Sequence, residues 1–115
     1  MAPTVPPRVQ ALDIESVLPP SPAMQAAVDG LAALCTHPTL RELDRLRATD
    51  SDRAALWEQV RLANILCGAC TAGDVLGGDG DCTARVRFHG EKGRVEVALR
   101  IDVRGKIVTA HLGLA

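Results

Sequence analysis

In the last third of the chain, apolar residues fall on every second position. Ala84, Val86 and Phe88 alternate with Arg85, Arg87 and His89. Val95, Val97, Leu99, Ile101 and Val103 alternate with Glu96, Ala98, Arg100 and Asp102. Val108, Ala110, Leu112 and Leu114 alternate with Ile107, Thr109, His111 and Gly113. A period of two over three successive runs predicts three strands with one buried face. Arg104-Gly105 reads as a two-residue hairpin connection that pairs Val103 with Lys106, and hence Leu99 with Ala110 and Val97 with Leu112. The Gly90-Glu91-Lys92-Gly93 loop sets Phe88 opposite Val95 and Arg87 opposite Glu96. Both registers put apolar against apolar, and the second adds a cross-strand ion pair between Arg87 and Glu96.

Upstream the period changes to that of a helix. Met24, Val28, Leu31 and Cys35 recur at spacings of four, three and four, which makes one apolar stripe. Ser21 is suited to cap this helix and Pro22 to its first position. Pro38 ends it. Thr39-Leu40-Arg41-Glu42 has the form of a capping box and opens a short helix carrying Leu40, Leu43 and Leu46. The polar run from Ala48 to Asp52 breaks that helix and caps a third, from about Asp52 to Cys67. There Leu56, Val60, Ala63 and Cys67 share a face, flanked by Trp57 and Leu66, and Gly68 stands at the stop. Residues 68–82 are rich in glycine and read as a surface turn, with Ala72 to Leu76 as a short edge strand.

Six of the seven prolines lie in residues 1–22. Proline lacks a backbone donor and fixes φ, so residues 1–20 read as an extended, mobile, Pro-rich tail ahead of one domain over 21–115. The fold class expected is α+β: N-terminal helices packed on one face of a curved, mainly antiparallel sheet of three to four strands. With 115 residues, 47% hydrophobic and 23% charged, the chain has material for one core. A net charge of −1 argues against a dedicated nucleic-acid binder. No apolar run approaches the roughly 18 residues a bilayer span needs, and the first residues lack the basic and apolar regions of a secretory signal. A cytoplasmic location with reduced thiols follows as an expectation.

Cys67-Gly68-Ala69-Cys70 has the spacing of a metal-chelating or redox pair. A zinc site needs two more ligands, and Cys35, His37 and Cys82 do not supply a second knuckle. A thioredoxin-like site needs a strand before its cysteine pair and a helix after it, whereas here a helix comes first. Cys35 and Cys67 therefore read as small buried apolar residues, with a zinc or thiol protein as the remaining alternative. No metal or cofactor is expected. The glycine-rich loop lacks the Lys and Ser/Thr of a phosphate loop and carries, in Asp79 and Asp81, only a fragment of a calcium loop. With Phe88, Trp57 and no tyrosine, stacking platforms for bases or sugars are also disfavoured.

Residues 55–115 resemble the small NTF2-like, or cystatin-like, α+β domains found alone or ahead of serine hydrolases. The resemblance is carried by Trp57 in a helix, Gly68 at its end, a turn-rich first strand over 69–82, and strands ending in Ile107-Val108-Thr109-Ala110-His111-Leu112. It implies a cone-shaped fold with a pocket between sheet and helices, often dimerising through the sheet. Such domains include isomerases, cyclases, dehydratases and many non-catalytic members.

An enzyme of this type needs an acid or base in the pocket, and none of the residues on the inward sheet face can ionise. Asp74, Asn64 and Arg61 are the candidates from elsewhere, and no catalytic residue is assigned. A ligand pocket is expected around Trp57, Asn64, Asp74 and Leu99. On the outward face Arg85, Ala98 and His111 fall in one row, Thr83, Arg100 and Thr109 in another, and Arg87, Glu96 and Gly113 in a third. Arg85, Ala98, Arg100 and His111 are the expected partner face: small residues admit another backbone and arginines bind carboxylates. His89 and His37 read as surface residues. The expected function is non-catalytic association, as a homodimer through the sheet, with a small apolar ligand as a possible occupant of the pocket. A small isomerase, cyclase or lyase acting on an apolar metabolite is the alternative.

Overall fold

A computed structural model describes residues 19–114. Three helices, α1 (Pro22–Thr36), α2 (Leu40–Leu46) and α3 (Arg53–Cys67), precede four strands, β1 (Cys70–Gly77), β2 (Thr83–Gly90), β3 (Arg94–Ile101) and β4 (Ile107–Leu114). The strands form one antiparallel sheet in the order β1-β2-β3-β4. The fold is therefore α+β, with the helices on one face of a four-stranded meander. The Pro-rich tail expected over residues 1–20 lies outside the described residues except for Pro19 and Pro20.

Each helix starts where a side chain can accept an orphan backbone N–H. Ser21 accepts from Met24, Thr39 from Glu42, and Asp52 from Ala55. The stripe of Met24, Val28, Leu31 and Cys35 is buried, as is that of Leu56, Val60, Ala63 and Cys67. They meet Val86, Phe88, Val95, Val97 and Leu99 from the sheet. Asp44 of α2 clamps the helical layer from outside. Its carboxylate takes Arg53 in a fork, at 2.8 and 3.0 Å, and Arg47 at 2.9 Å.

The layers are joined at one corner. Asn64 of α3 donates its amide to the carbonyls of Cys35 (2.8 Å) and Thr36 (3.3 Å), which ends α1. The Thr36 hydroxyl accepts from the Cys70 N–H at 2.8 Å and donates to the Ala32 carbonyl at 3.0 Å. Gly68, with φ +72°, turns the chain out of α3 into β1. The β2–β3 turn closes against that bend: Lys92 N–H donates to the Cys67 carbonyl at 3.0 Å. Gly90 lies so close that a Cβ would run into the Cys67 backbone.

The register of the sheet is the expected one over most of its length: Phe88 faces Val95, Leu99 faces Ala110 and Val97 faces Leu112. Near the last hairpin it differs. Asp102 pairs with Lys106 through Asp102 N–H to Lys106 carbonyl, 2.9 Å, and Gly105 N–H returns to the Asp102 carbonyl, 2.9 Å. The connection is thus Val103-Arg104-Gly105, with Gly105 at φ +79°, a three-residue loop of the bulged type. The Asp102 carboxylate favours it by accepting from the N–H groups of Arg104 and Lys106, both at 2.9 Å. Val103, expected in the core, is consequently exposed at the tip. Ile101 pairs with Ile107, and an irregularity at Val108 then restores the register from Arg100–Thr109 onward. Ile107 is fully buried and Val108 only half-buried, the reverse of strict alternation.

Two further expectations change. The edge strand runs from Cys70 to Gly77, beyond Ala72–Leu76, and is broken by irregularities on either side of Val75. Arg87 and Glu96 are register partners, but the ion pair forms diagonally between Arg85 and Glu96 at 3.4 Å. Arg87 is left with a buried Nε that has no partner among the described residues.

Two outcomes test this fold. Replacing Asn64 by Ala leaves the Cys35 carbonyl unpaired and is expected to cost about 1–3 kcal/mol in urea unfolding. The second concerns acid. Hydrogen bonds from Arg53 and Arg47 hold the Asp44 carboxyl down to about 2, and the backbone N–H groups of Thr83, Asp81 and Cys82 do the same for Asp79. Both folded values lie below the ordinary 3.8, so their contribution is present above pH 4 and is lost as pH falls towards 2. The thermal midpoint by calorimetry should drop across that window, and drop less in Asp44→Asn/Asp79→Asn protein.

Candidate functional site

The space between helices and sheet is filled by side chains. One cavity there, lined by Leu31, Val60, Ala63, Val97 and Leu112 among others, measures about 10 Å³, at most the room for a single water; an open hollow of about 200 Å³ lies where the start of α3 meets β4, between Asp52, Leu56, Thr109 and His111. The small cavity's polar neighbour is Gln59, whose Oε1 accepts from the Leu112 N–H at 2.8 Å. No ionisable side chain other than the Cys35 thiol lines the small cavity. Burial pushes that thiol up to about 12.

The residues expected around a ligand pocket do not converge. Trp57 packs half-buried against the core and Leu99 lies within it. Asn64 is committed to the end of α1. Asp74 is exposed on β1, and Arg61 is exposed on α3. None of the five lines the interior cavity.

The outward sheet face behaves differently. Arg85 pairs with Ala98 and Ala98 with His111, while Thr83 pairs with Arg100 and Arg100 with Thr109. These two rows floor an open hollow of about 300 Å³ that contains all four expected partner-face residues and ends at Gly78. A second hollow of about 190 Å³ continues over Glu96, Ala98 and Gly113. The small side chain of Ala98 borders both hollows, and a Cβ on Gly113 would meet nothing within 4 Å. Arg85, held by Glu96 and by the Leu76 carbonyl at 3.2 Å, forms one wall. The face as a whole is basic: Arg85, Arg87, Arg94 and Arg100 stand with His89 and His111 around the carboxylate of Glu96.

The loop at the end of the larger hollow was legible only as a turn. Its order comes from Asp79, whose Oδ1 accepts from the N–H groups of Asp81, Cys82 and Thr83 at 2.9, 2.9 and 3.0 Å. The loop also holds the start of the helical layer, because Ser21 N–H donates to the Gly80 carbonyl at 2.6 Å. Gln59 and Thr36 had no signal in the sequence; each acts on a backbone group far away along the chain.

Three of the thiols lie on the helix side of the sheet, on α1, α3 and the start of β1, and the fourth in the β1–β2 loop. Cys35, Cys67 and Cys70 are buried and Cys82 is exposed. Burial, reinforced by the neighbouring Cys67, holds Cys70 up at about 12, and its Sγ donates to the Gly68 carbonyl at 3.3 Å. Among the described residues no three His, Cys, Asp or Glu side chains are grouped to hold a metal ion. A nucleophilic thiol must ionise. In native protein at neutral pH, Cys82 alone should therefore react with a disulfide reagent within minutes. The other three should follow only on unfolding, as read by absorbance and mass. Comparison with known proteins gave no match to any family model, curated protein or solved structure.

Proposed function

We propose that this chain is a non-catalytic association domain that pairs with a second copy of itself through the outward face of its sheet. The observation that carries this is the hollow over Arg85, Ala98, Arg100 and His111, with small residues where another backbone would come closest. A two-fold axis lying above Ala98 and perpendicular to the strands makes β3 cross β3 antiparallel. Arg100 of each copy then faces Glu96 of the other, two positions to either side of Ala98. The arrangement is complementary in charge where it is narrowest. The NTF2-like resemblance of residues 55–115 agrees with this reading, since such domains often pair through the sheet and many are non-catalytic.

The interior supports association over isomerase, cyclase or lyase chemistry. The cavity beside Leu31, Val60 and Val97 measures about 10 Å³, and the hollow between the start of α3 and β4 about 200 Å³, both below the roughly 300 Å³ at which small-molecule pockets begin. The small cavity's polar side chain, Gln59, is already engaged with the backbone.

Ala98→Arg places a long charged side chain at the proposed axis. Light scattering should show a dimer for the natural chain and a monomer for the variant, with unchanged helical circular dichroism. A natural chain that is monomeric at all concentrations, or a variant that remains dimeric, would overturn the reading.

A further inference from the structure

An axis above Ala98 and perpendicular to the strands runs along the whole cross-strand row that contains it: Arg85 on β2, Ala98 on β3 and His111 on β4. Residues in that row meet their own counterparts, and residues two positions off it meet the row on the other side. Arg100 therefore faces Glu96, but His111 faces His111. The outward neighbours of His111 along β4 are Thr109 and Gly113, and a Cβ on Gly113 would meet nothing within 4 Å. Small neighbours leave room for two imidazoles to approach across the axis.

The charged groups around His111 come from three elements. Arg85 of β2, in its own row, turns back to Glu96 at 3.4 Å and to the Leu76 carbonyl at 3.2 Å. Glu96 and Arg100 of β3 lie diagonally from His111. Asp52 of α3 lines the hollow on the helix side of His111, and its carboxylate accepts from the Ala55 N–H at 3.0 Å. Asp74 is exposed on β1, at the opposite edge of the sheet, in the stretch that passes Arg87. The axial row itself holds no carboxylate.

We propose that pairing through this face is pH-sensitive, with His111 as the switch: neutral imidazoles face each other across the axis, and protonation of both sets two like charges together and separates the copies. The inference rests on the pairing reading and adds its regulation. Histidine is the side chain that ordinarily changes charge between pH 5 and 8. In the pair, Glu96 already answers Arg85 of its own sheet and Arg100 of the other copy, so it cannot also neutralise an imidazolium. In the separated chain that imidazolium is exposed to water. The pair thus prefers the neutral form, and pairing weakens as pH falls. Carboxylates ordinarily keep their charge down to about pH 5, so the effect belongs to the histidine over that range.

The test is sedimentation of the full chain at about pH 8 and about pH 5.5 at one ionic strength, a window that spans histidine titration. The dissociation constant should rise about fivefold at the lower pH, the scale of two unit charges about 4 Å apart in water. His111→Gln should pair equally at both pH values, and His111→Asn serves the same purpose if circular dichroism shows the first variant to be poorly folded. His89→Gln, four positions off the axial row along β2, should keep the fivefold change. A natural chain that pairs equally at both pH values, or more tightly in acid, would overturn the switch and leave the pairing reading standing. A pH dependence that survives in the His111 variants would do the same. A natural chain monomeric at every pH would overturn the pairing and the switch with it.

Discussion

The structure depends on how the end of α1 is held against the start of β1. A helix ends with carbonyls that lack partners, and here two of them, on Cys35 and Thr36, are satisfied by one side chain, Asn64 of α3. The Thr36 hydroxyl then binds the first N–H of the sheet, at Cys70. Two helices and the sheet are thereby fixed at a single corner, and Gly90 lets the β2–β3 turn close on the Cys67 backbone. With the angle between layers set this way, side chains from both layers interlock, and the cavity beside Leu31, Val60 and Val97 measures about 10 Å³. A domain built to hold a ligand in that place would need the layers apart.

The sheet edges narrow the choice further. An open edge invites another strand. At β4 the edge is occupied at both ends: Ala48 N–H donates to the Ile107 carbonyl at 2.8 Å, and Gln59 accepts from Leu112 N–H. At β1 the strand is irregular on both sides of Val75 and carries exposed Gly73 and Asp74, which disrupt continuous pairing. Neither edge presents a long, regular row of free backbone groups to a further strand.

The alternation of apolar and polar residues was enough to identify β2, β3 and β4, their common register and the content of both faces, because burying one side of a strand constrains every second residue. The same reasoning placed Arg85, Ala98, Arg100 and His111 together, as they are. It failed at Val103, where the Asp102 carboxylate organises a longer turn than Arg104-Gly105 implies, and where a compensating irregularity at Val108 hides the error from the rest of the strand. It failed for the Arg87–Glu96 pair because opposed backbone positions do not decide which long side chain reaches a carboxylate; Arg85 reaches it diagonally. It read Asn64 as part of a pocket, since a polar residue beside a helical apolar stripe looks the same whether it faces a ligand or a carbonyl. Which of these it faces depends on the crossing of α1 and α3, a long-range property.

The distribution of carboxylates explains why the outward face is basic in a chain of net charge −1. Many of the acids are used where the fold needs acceptors or helix-layer partners. Asp52 caps α3, Asp79 and Asp102 organise the two loops around β2 and β4, and Glu42 and Asp44 bind arginines of the helical layer. None of these can turn to the sheet without giving up a backbone or guanidinium partner. Glu96 is the one acid in the facing rows of β2, β3 and β4, and Arg85 has it. With Asp74, exposed on β1, the four strands carry two carboxylates against the four arginines Arg85, Arg87, Arg94 and Arg100, so the face stays basic although the chain is not.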